Sequence, residues 1–126
     1  MKPLRRKPTD AELAILRILW ARGPSTVRQV TEQLGHDTGY TTALKLLQIM
    51  TEKRLVTRDE SSRTHIYAAA YTQEQTERQI VSDLVDRVFD GSAAKLVLQA
   101  LATTKASPEE LDEIRKLIAM KKGGSR

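Results

Sequence analysis

Only three residues, His36-Asp37-Thr38, separate two stretches that each repeat apolar side chains at helical spacing. In the first, Val27, Val30 and Leu34 recur at i, i+3 and i+7, and Gly35 stands where a left-handed C-terminal cap is expected. The second runs from Gly39 to Lys53. Helices joined by so short a turn have the spacing of a helix-turn-helix, in which the second helix offers its N-terminal residues to base edges.

The second stretch fits that role. With Ala43, Leu46, Leu47 and Met50 turned to the core, Tyr40, Thr41, Leu44, Lys45 and Gln48 fall on the outer side and Thr42 at its margin. Hydroxyl and amide groups there can meet base edges or phosphates, Lys45 can reach guanine or phosphate, and Leu44 can touch a thymine methyl. Periodicity alone fits equally an amphipathic helix with a solvated polar face.

The flanking segments complete a platform. Thr9 and Glu12 make a capping box for a first helix, whose stripe is Leu13, Leu16 and Trp20, widened by Ile15, Ile18 and Leu19. Trp20 is placed as a core anchor, and Arg22-Gly23-Pro24 ends the helix. Ser25 and Thr26 can pair briefly as a strand or cap the next helix. After Lys53-Arg54 the period shortens: Leu55-Val56-Thr57 leads through Arg58-Asp59-Glu60 to a turn at Ser61-Ser62-Arg63, and Thr64-His65-Ile66-Tyr67-Ala68 returns. Two strands and a polar turn after a helix-turn-helix make a wing, with Arg58 and Arg63 within reach of phosphate or a minor groove.

Beyond Tyr71 the pattern is helical throughout. Thr72 with Gln75 caps a fourth helix bearing Ile80, Val81, Leu84, Val85, Val88 and Phe89, and Gly91 punctuates. Ala93 to Ala102, with Leu96, Val97, Leu98 and Leu101, is apolar nearly all round and is expected to be buried. Ser107-Pro108-Glu109-Glu110 starts a last helix with Leu111, Ile114, Leu117 and Ile118, ending before Lys121. Three helices with such faces cannot cover them against one another, so a second copy of the chain is the expected partner. The fold class is therefore mainly α: a winged helix-turn-helix of three helices plus a two- to three-stranded wing sheet over residues 1–71, then a helical dimerisation segment over 72–126.

Charge follows the same division. Residues 1–71 hold twelve Lys or Arg against seven Asp or Glu, and residues 72–126 nine of each, so the whole net charge of +5 lies in the first part. A polyanion partner for the first part and self-association for the second fit this asymmetry. Met1 to Pro8, with Arg5, Arg6 and Lys7, reads as a terminal basic arm that needs no role of its own.

Other classes are disfavoured. The chain has no cysteine, which removes disulfides, thiolate metal sites and cysteine nucleophiles. No apolar run has the length of a membrane span and no secretory leader is visible, so a cytoplasmic protein without membrane insertion is expected. The two histidines, His36 in the turn and His65 on the wing, belong to no catalytic constellation, and no phosphate loop or metal-ligand pair is present. No enzyme activity, cofactor or metal is expected. A winged helix gated by a small ligand or a protein partner is the alternative to a plain DNA-binding repressor.

Several words in order resemble the BlaI/MecI/CopY penicillinase-repressor family: Leu19-Trp20, Thr26-Val27-Arg28-Gln29-Val30, Tyr40-Thr41-Thr42, Glu52-Lys53-Arg54-Leu55-Val56, His65-Ile66-Tyr67 and Lys95-Leu96-Val97-Leu98. The resemblance runs from about Thr9 to Met120. It implies a homodimeric repressor on a palindromic operator with a TACA/TGTA-like core, often paired with a membrane sensor protease. On this pattern Tyr40, Thr41, Thr42, Leu44, Lys45 and Gln48 read DNA, with Thr26, Arg28, Arg54, Arg58 and Arg63 supporting them from helix 2, the wing and the backbone. Ile80, Leu84, Val88, Leu96, Val97, Leu101, Leu111, Ile114, Leu117 and Ile118 form the dimer. The segment of proteolytic control corresponds to Ser92-Ala93-Ala94, which differs from the family's Asn-Phe type of cut. Copper-responsive relatives carry a cysteine-rich tail that this chain lacks. Where relatives commonly place a glycine before the wing, this chain has Arg54, at a cost of about 1 kcal/mol if the backbone keeps a positive φ.

Overall fold

The computed structural model describes residues 7–124. Arg5 and Arg6 of the basic arm lie outside the described residues. The elements are α1 (Asp10–Arg22), α2 (Val27–Leu34), α3 (Tyr40–Glu52), β1 (Val56–Asp59), β2 (Ile66–Ala69), α4 (Gln73–Val88), α5 (Ala93–Thr103) and α6 (Pro108–Gly124). By internal packing the chain divides into two compact units, residues 1–82 and 83–126. The division falls inside α4, whose Thr76 is still buried.

Local chemistry sets where the helices of the first unit begin and end. At α1 and α2 full capping boxes are present, Thr9 with Glu12 and Thr26 with Gln29, each hydroxyl accepting from an amide while the longer side chain accepts in return. Gly23 closes α1 at φ 95°, ψ −173°, donating its N–H to the Leu19 carbonyl at 2.8 Å. Gly35 ends α2 at φ 91°, ψ −169°. Its φ is positive as expected, but this extended ψ belongs to a region open essentially to glycine and is not the left-handed helical cap.

The core of this unit is built from Ile15, Leu16 and Leu19 of α1, Val27 and Val30 of α2, Ala43, Leu47 and Met50 of α3, and Leu55, Val56 and Tyr67 of the wing. Leu13, Ile18 and Trp20 are only half-buried, so the inward face of α1 is rotated from the expected stripe. Glu12, in the first turn of α1, is buried as well, at 2% exposed, and its carboxylate is met by Lys53 from beyond the end of α3. Trp20 does pack against the core, and its indole N–H donates to the Tyr71 carbonyl at 3.0 Å.

β1 and β2 pair antiparallel, with Val56 opposite Ala69 and Arg58 opposite Tyr67. Ser25 adds a third, single-residue rung: it and Tyr67 exchange both backbone hydrogen bonds, at 2.9 and 2.8 Å. The wing is thereby tied to the chain that enters α2. Arg54, between α3 and β1, stands at φ 64°, the positive value that favours glycine.

The second unit contains the end of α4 with α5 and α6. Asp90 at φ 53° and Gly91 at φ 78° reverse the chain after α4, and the Gly91 amide donates to the Val85 carbonyl at 2.9 Å. Ser92 then caps α5 through the Lys95 amide, and Ser107 with Glu110 boxes the start of α6. α6 continues to Gly124, beyond the expected end before Lys121, with Lys121 and Lys122 in its last turn, where cations suit the helix dipole. The expectation that α5 is buried is corrected: no residue of α5 is buried within the chain. A helix that is apolar nearly all round needs neighbours on every side, and a unit of two and a half helices cannot provide them.

Candidate nucleic-acid interface

A cleft of about 420 Å³ opens between the start of α2, the start of α3 and the wing. α2 contributes Thr26, Val27 and Arg28; α3 contributes Tyr40 and Leu44, one turn apart; the wing contributes Arg63, Thr64, His65 and Tyr67. Five of the residues expected to meet DNA, Thr26, Arg28, Tyr40, Leu44 and Arg63, are thus brought to one place although they span 38 positions of sequence. None of the lining residues is acidic.

On the outer side of α3, Thr41, Thr42, Lys45 and Gln48 are exposed, opposite the buried Ala43, Leu47 and Met50. Tyr40 is 50% exposed. Leu44 differs from the outward placement expected: it is half-buried against the core and shows one edge to the cleft. α3 is also the one described helix whose first turn has no side-chain cap, since Gly39 precedes it. Threonine or serine hydroxyls cap the other five. Its leading amides are left for solvent or for an anion, which a helix N-terminus favours.

The wing tip is internally braced. The Ser61 amide donates to the Asp59 carboxylate at 2.9 Å, and that amide, then the Ser61 hydroxyl, hold the Asp59 carboxyl below its usual range. The Ser62 hydroxyl donates to the Thr64 carbonyl at 2.8 Å. Arg58 lies across from Tyr67 and pairs with Glu60 at 3.0 Å. The Tyr67 phenol oxygen, and after it Glu60, hold the Arg58 guanidinium above even its ordinary high value. Arg58 is therefore charged but already engaged, whereas Arg63 projects into the cleft. Arg54 is not brought to the cleft. It follows the far end of α3, about 20 Å along the helix axis from Tyr40 at 1.5 Å per residue.

The sequence reading missed Thr64 and His65 as lining residues. The expected returning strand, Thr64 to Ala68, supplies the signal, since a period of two along it would put His65 on the face of Tyr67. It also left Val81, near the end of the first unit, and Leu98 and Met120, in the second, out of the residues assigned to self-association, although all three are exposed. Of the residues assigned to self-association, Leu84, Val88, Val97, Leu101, Leu111, Leu117 and Ile118 are exposed and Ile80, Leu96 and Ile114 half-buried. Ser92 is half-buried at the head of α5, with Ala93 and Ala94 exposed on its first turn.

Three helices, a paired wing, an uncapped and exposed second helix of a helix-turn-helix, and a cationic cleft beside it define a winged helix-turn-helix DNA-binding protein. The known proteins it resembles are of that kind. A family model described as penicillinase repressor matches residues 8–120. The transcriptional regulator BlaI of Mycobacterium tuberculosis, in strains CDC 1551 / Oshkosh and ATCC 25618 / H37Rv, is 30% identical over 118 residues, covering 91% of this chain and 85% of the relative. Among solved structures, the transcriptional regulator Tm0710 from Thermotoga maritima shares the fold, with a TM-score of 0.52 at 17% identity over 91% of this chain and 77% of that one. The chain belongs to the penicillinase repressor family; it is a transcriptional regulator, not an enzyme. None of the described helices is long and apolar enough to cross a membrane.

Proposed function

We propose that the chain acts as a homodimeric repressor on a two-fold-symmetric operator, with α3 in the major groove and the wing against the phosphate backbone. The observation that carries this reading is the cleft itself, which brings Arg28 and Arg63 together with Tyr40 and Leu44 from the first turns of α3. In that arrangement Thr41, Thr42, Lys45 and Gln48 take the base edges while the flanking arginines, with Thr26, take phosphates and fix the register. A TACA/TGTA-like core is the operator that family membership suggests.

Self-association rests on a separate feature. Among the described residues, ten of the eleven large apolar side chains that are exposed lie between Val81 and Met120. Scattered exposed leucines are ordinary, but such a concentration on three consecutive helices marks a surface that another chain covers. Symmetry makes a second copy the simplest occupant, and it sets two recognition helices one turn of DNA apart.

Release of the repressor by a sensor protease is the regulation that the family suggests, and Ser92-Ala93-Ala94 at the exposed head of α5 is the segment such a protease would meet. Gel shift on the DNA upstream of the chain's own gene, with sedimentation of the bound complex, tests the proposal. Two chains per shifted duplex is the expected result; a complex with one chain, or no shift at low salt, contradicts it.

A further inference from the structure

His65 is a titratable cleft residue to which the proposed DNA-binding mode gives no task. It immediately precedes β2 and lines the cleft together with Thr64 and Tyr67, and its side chain keeps 41% of its exposure. Its charged and titratable surroundings come from each packed element: Arg28 from α2, Tyr40 from α3, Arg63 and Tyr67 from the wing, and Glu60 at the wing tip. Glu60 is the one carboxylate among these. Its Oε1 is 4.0 Å from His65 Nε2, too far for a hydrogen bond, while its Oε2 is claimed by Arg58 at 3.0 Å. The imidazole therefore has open donor capacity in a cleft lined by two guanidinium groups and the hydroxyls of Thr26 and Thr64.

We propose that His65 is a further DNA-backbone contact, whose protonated imidazole pairs with a phosphate seated in this cleft beside Arg28 and Arg63. This rests on the reading of the cleft as the DNA-facing side. A phosphate beside the ring favours the imidazolium, and imidazole is the side chain that gains its proton near neutrality. DNA binding then takes up a proton at each wing, and affinity rises as pH falls.

The composition makes the test clean, because the chain has two histidines and no cysteine. The other, His36, is exposed in the turn between α2 and α3 and does not line the cleft. The experiment is fluorescence anisotropy of the full chain with a labelled duplex of mixed sequence, at fixed low ionic strength, since a phosphate contact is indifferent to sequence. The expected result is binding several-fold tighter at about pH 6 than at about pH 8. H65Q should lose that gain and H36Q keep it. R63Q should weaken binding and flatten its salt dependence while keeping the pH dependence. A side chain that only supported the wing would, when replaced, weaken binding equally at every pH. If H65Q keeps the gain, or the unaltered chain shows none while still binding, the assignment of His65 is overturned and the reading of the cleft stands. If no variant binds duplex at low salt, both fall.

Discussion

The Lys53 ammonium donates to both carboxylate oxygens of Glu12, at 2.9 and 3.0 Å, across 41 residues of sequence. One ion pair thus joins the first turn of α1 to the residue that caps α3, and so fixes the far end of α3. Glu12 is buried while Lys53 keeps 14% of its side-chain exposure.

Replacing Glu12 by Ala strands the Lys53 ammonium in a largely buried place and removes half of the α1 capping box. We expect a loss of about 3 kcal/mol, at the lower end for a broken buried pair because Lys53 can still reach water. Urea unfolding checks it. Burial pushes the Glu12 carboxyl up, but the Thr9 amide, the Lys53 ammonium and the Thr9 hydroxyl outweigh that and hold it below the ordinary 4.5. A carboxyl that titrates lower folded than unfolded stabilises fully above its unfolded value and loses that contribution as pH falls through the folded one. The deficit of the Glu12→Ala chain should therefore be constant above about pH 5 and shrink in acid. A deficit that grew on acidification would contradict the pairing.

Arg54 holds a positive φ without a role in the cleft. Arg54→Gly should stabilise the first unit by about 0.5 to 1 kcal/mol, the relief of the left-handed backbone less the entropy that glycine adds to the unfolded chain. DNA affinity should be nearly unchanged. A large loss of affinity would show that Arg54 reaches a phosphate after all.

These two residues also mark what sequence can and cannot show. The turn at His36-Asp37-Thr38, the capping pairs and the alternation of the wing are local signals, and the structure places α1 to α3 and the strands where they point. Glu12 was legible as a cap but not as a core residue, because its partner lies 41 positions away and no periodicity links them. The inward turn of Leu44 and the part of His65 in the cleft depend likewise on how the wing packs beside α3. α5 shows a different limit. Apolar composition announces that Leu96, Val97, Leu98 and Leu101 seek cover, but not whether the cover belongs to the same chain.

Leu117 is half exposed in the single chain. Leu117→Glu should change the stability of an isolated chain by no more than about 0.5 kcal/mol, as for an ordinary surface position. In the assembly it buries a charge at an apolar interface. Sedimentation should give the mass of one chain, and the melting temperature should lose its dependence on protein concentration. Retention of the dimer mass would remove this face of α6 from the interface.

Within the DNA face, two kinds of residue should separate. Lys45→Ala or Thr42→Ala should cost about 1 to 3 kcal/mol on a specific site and little on random duplex. Arg63→Ala should weaken both alike and reduce the slope of affinity against salt. Paired titrations of specific and random duplexes distinguish them. An Arg63→Ala chain with altered base preference and an intact salt slope would reverse the assignment of the wing.

Selection of binding sites from random DNA by the purified full chain is the sharpest test of α3 as a base reader in a two-fold assembly. Enrichment of a two-fold-symmetric site is expected, with halves about one helical turn apart and each half read by one copy of α3. Enrichment of a single asymmetric half, or of no sequence at all, would contradict that role.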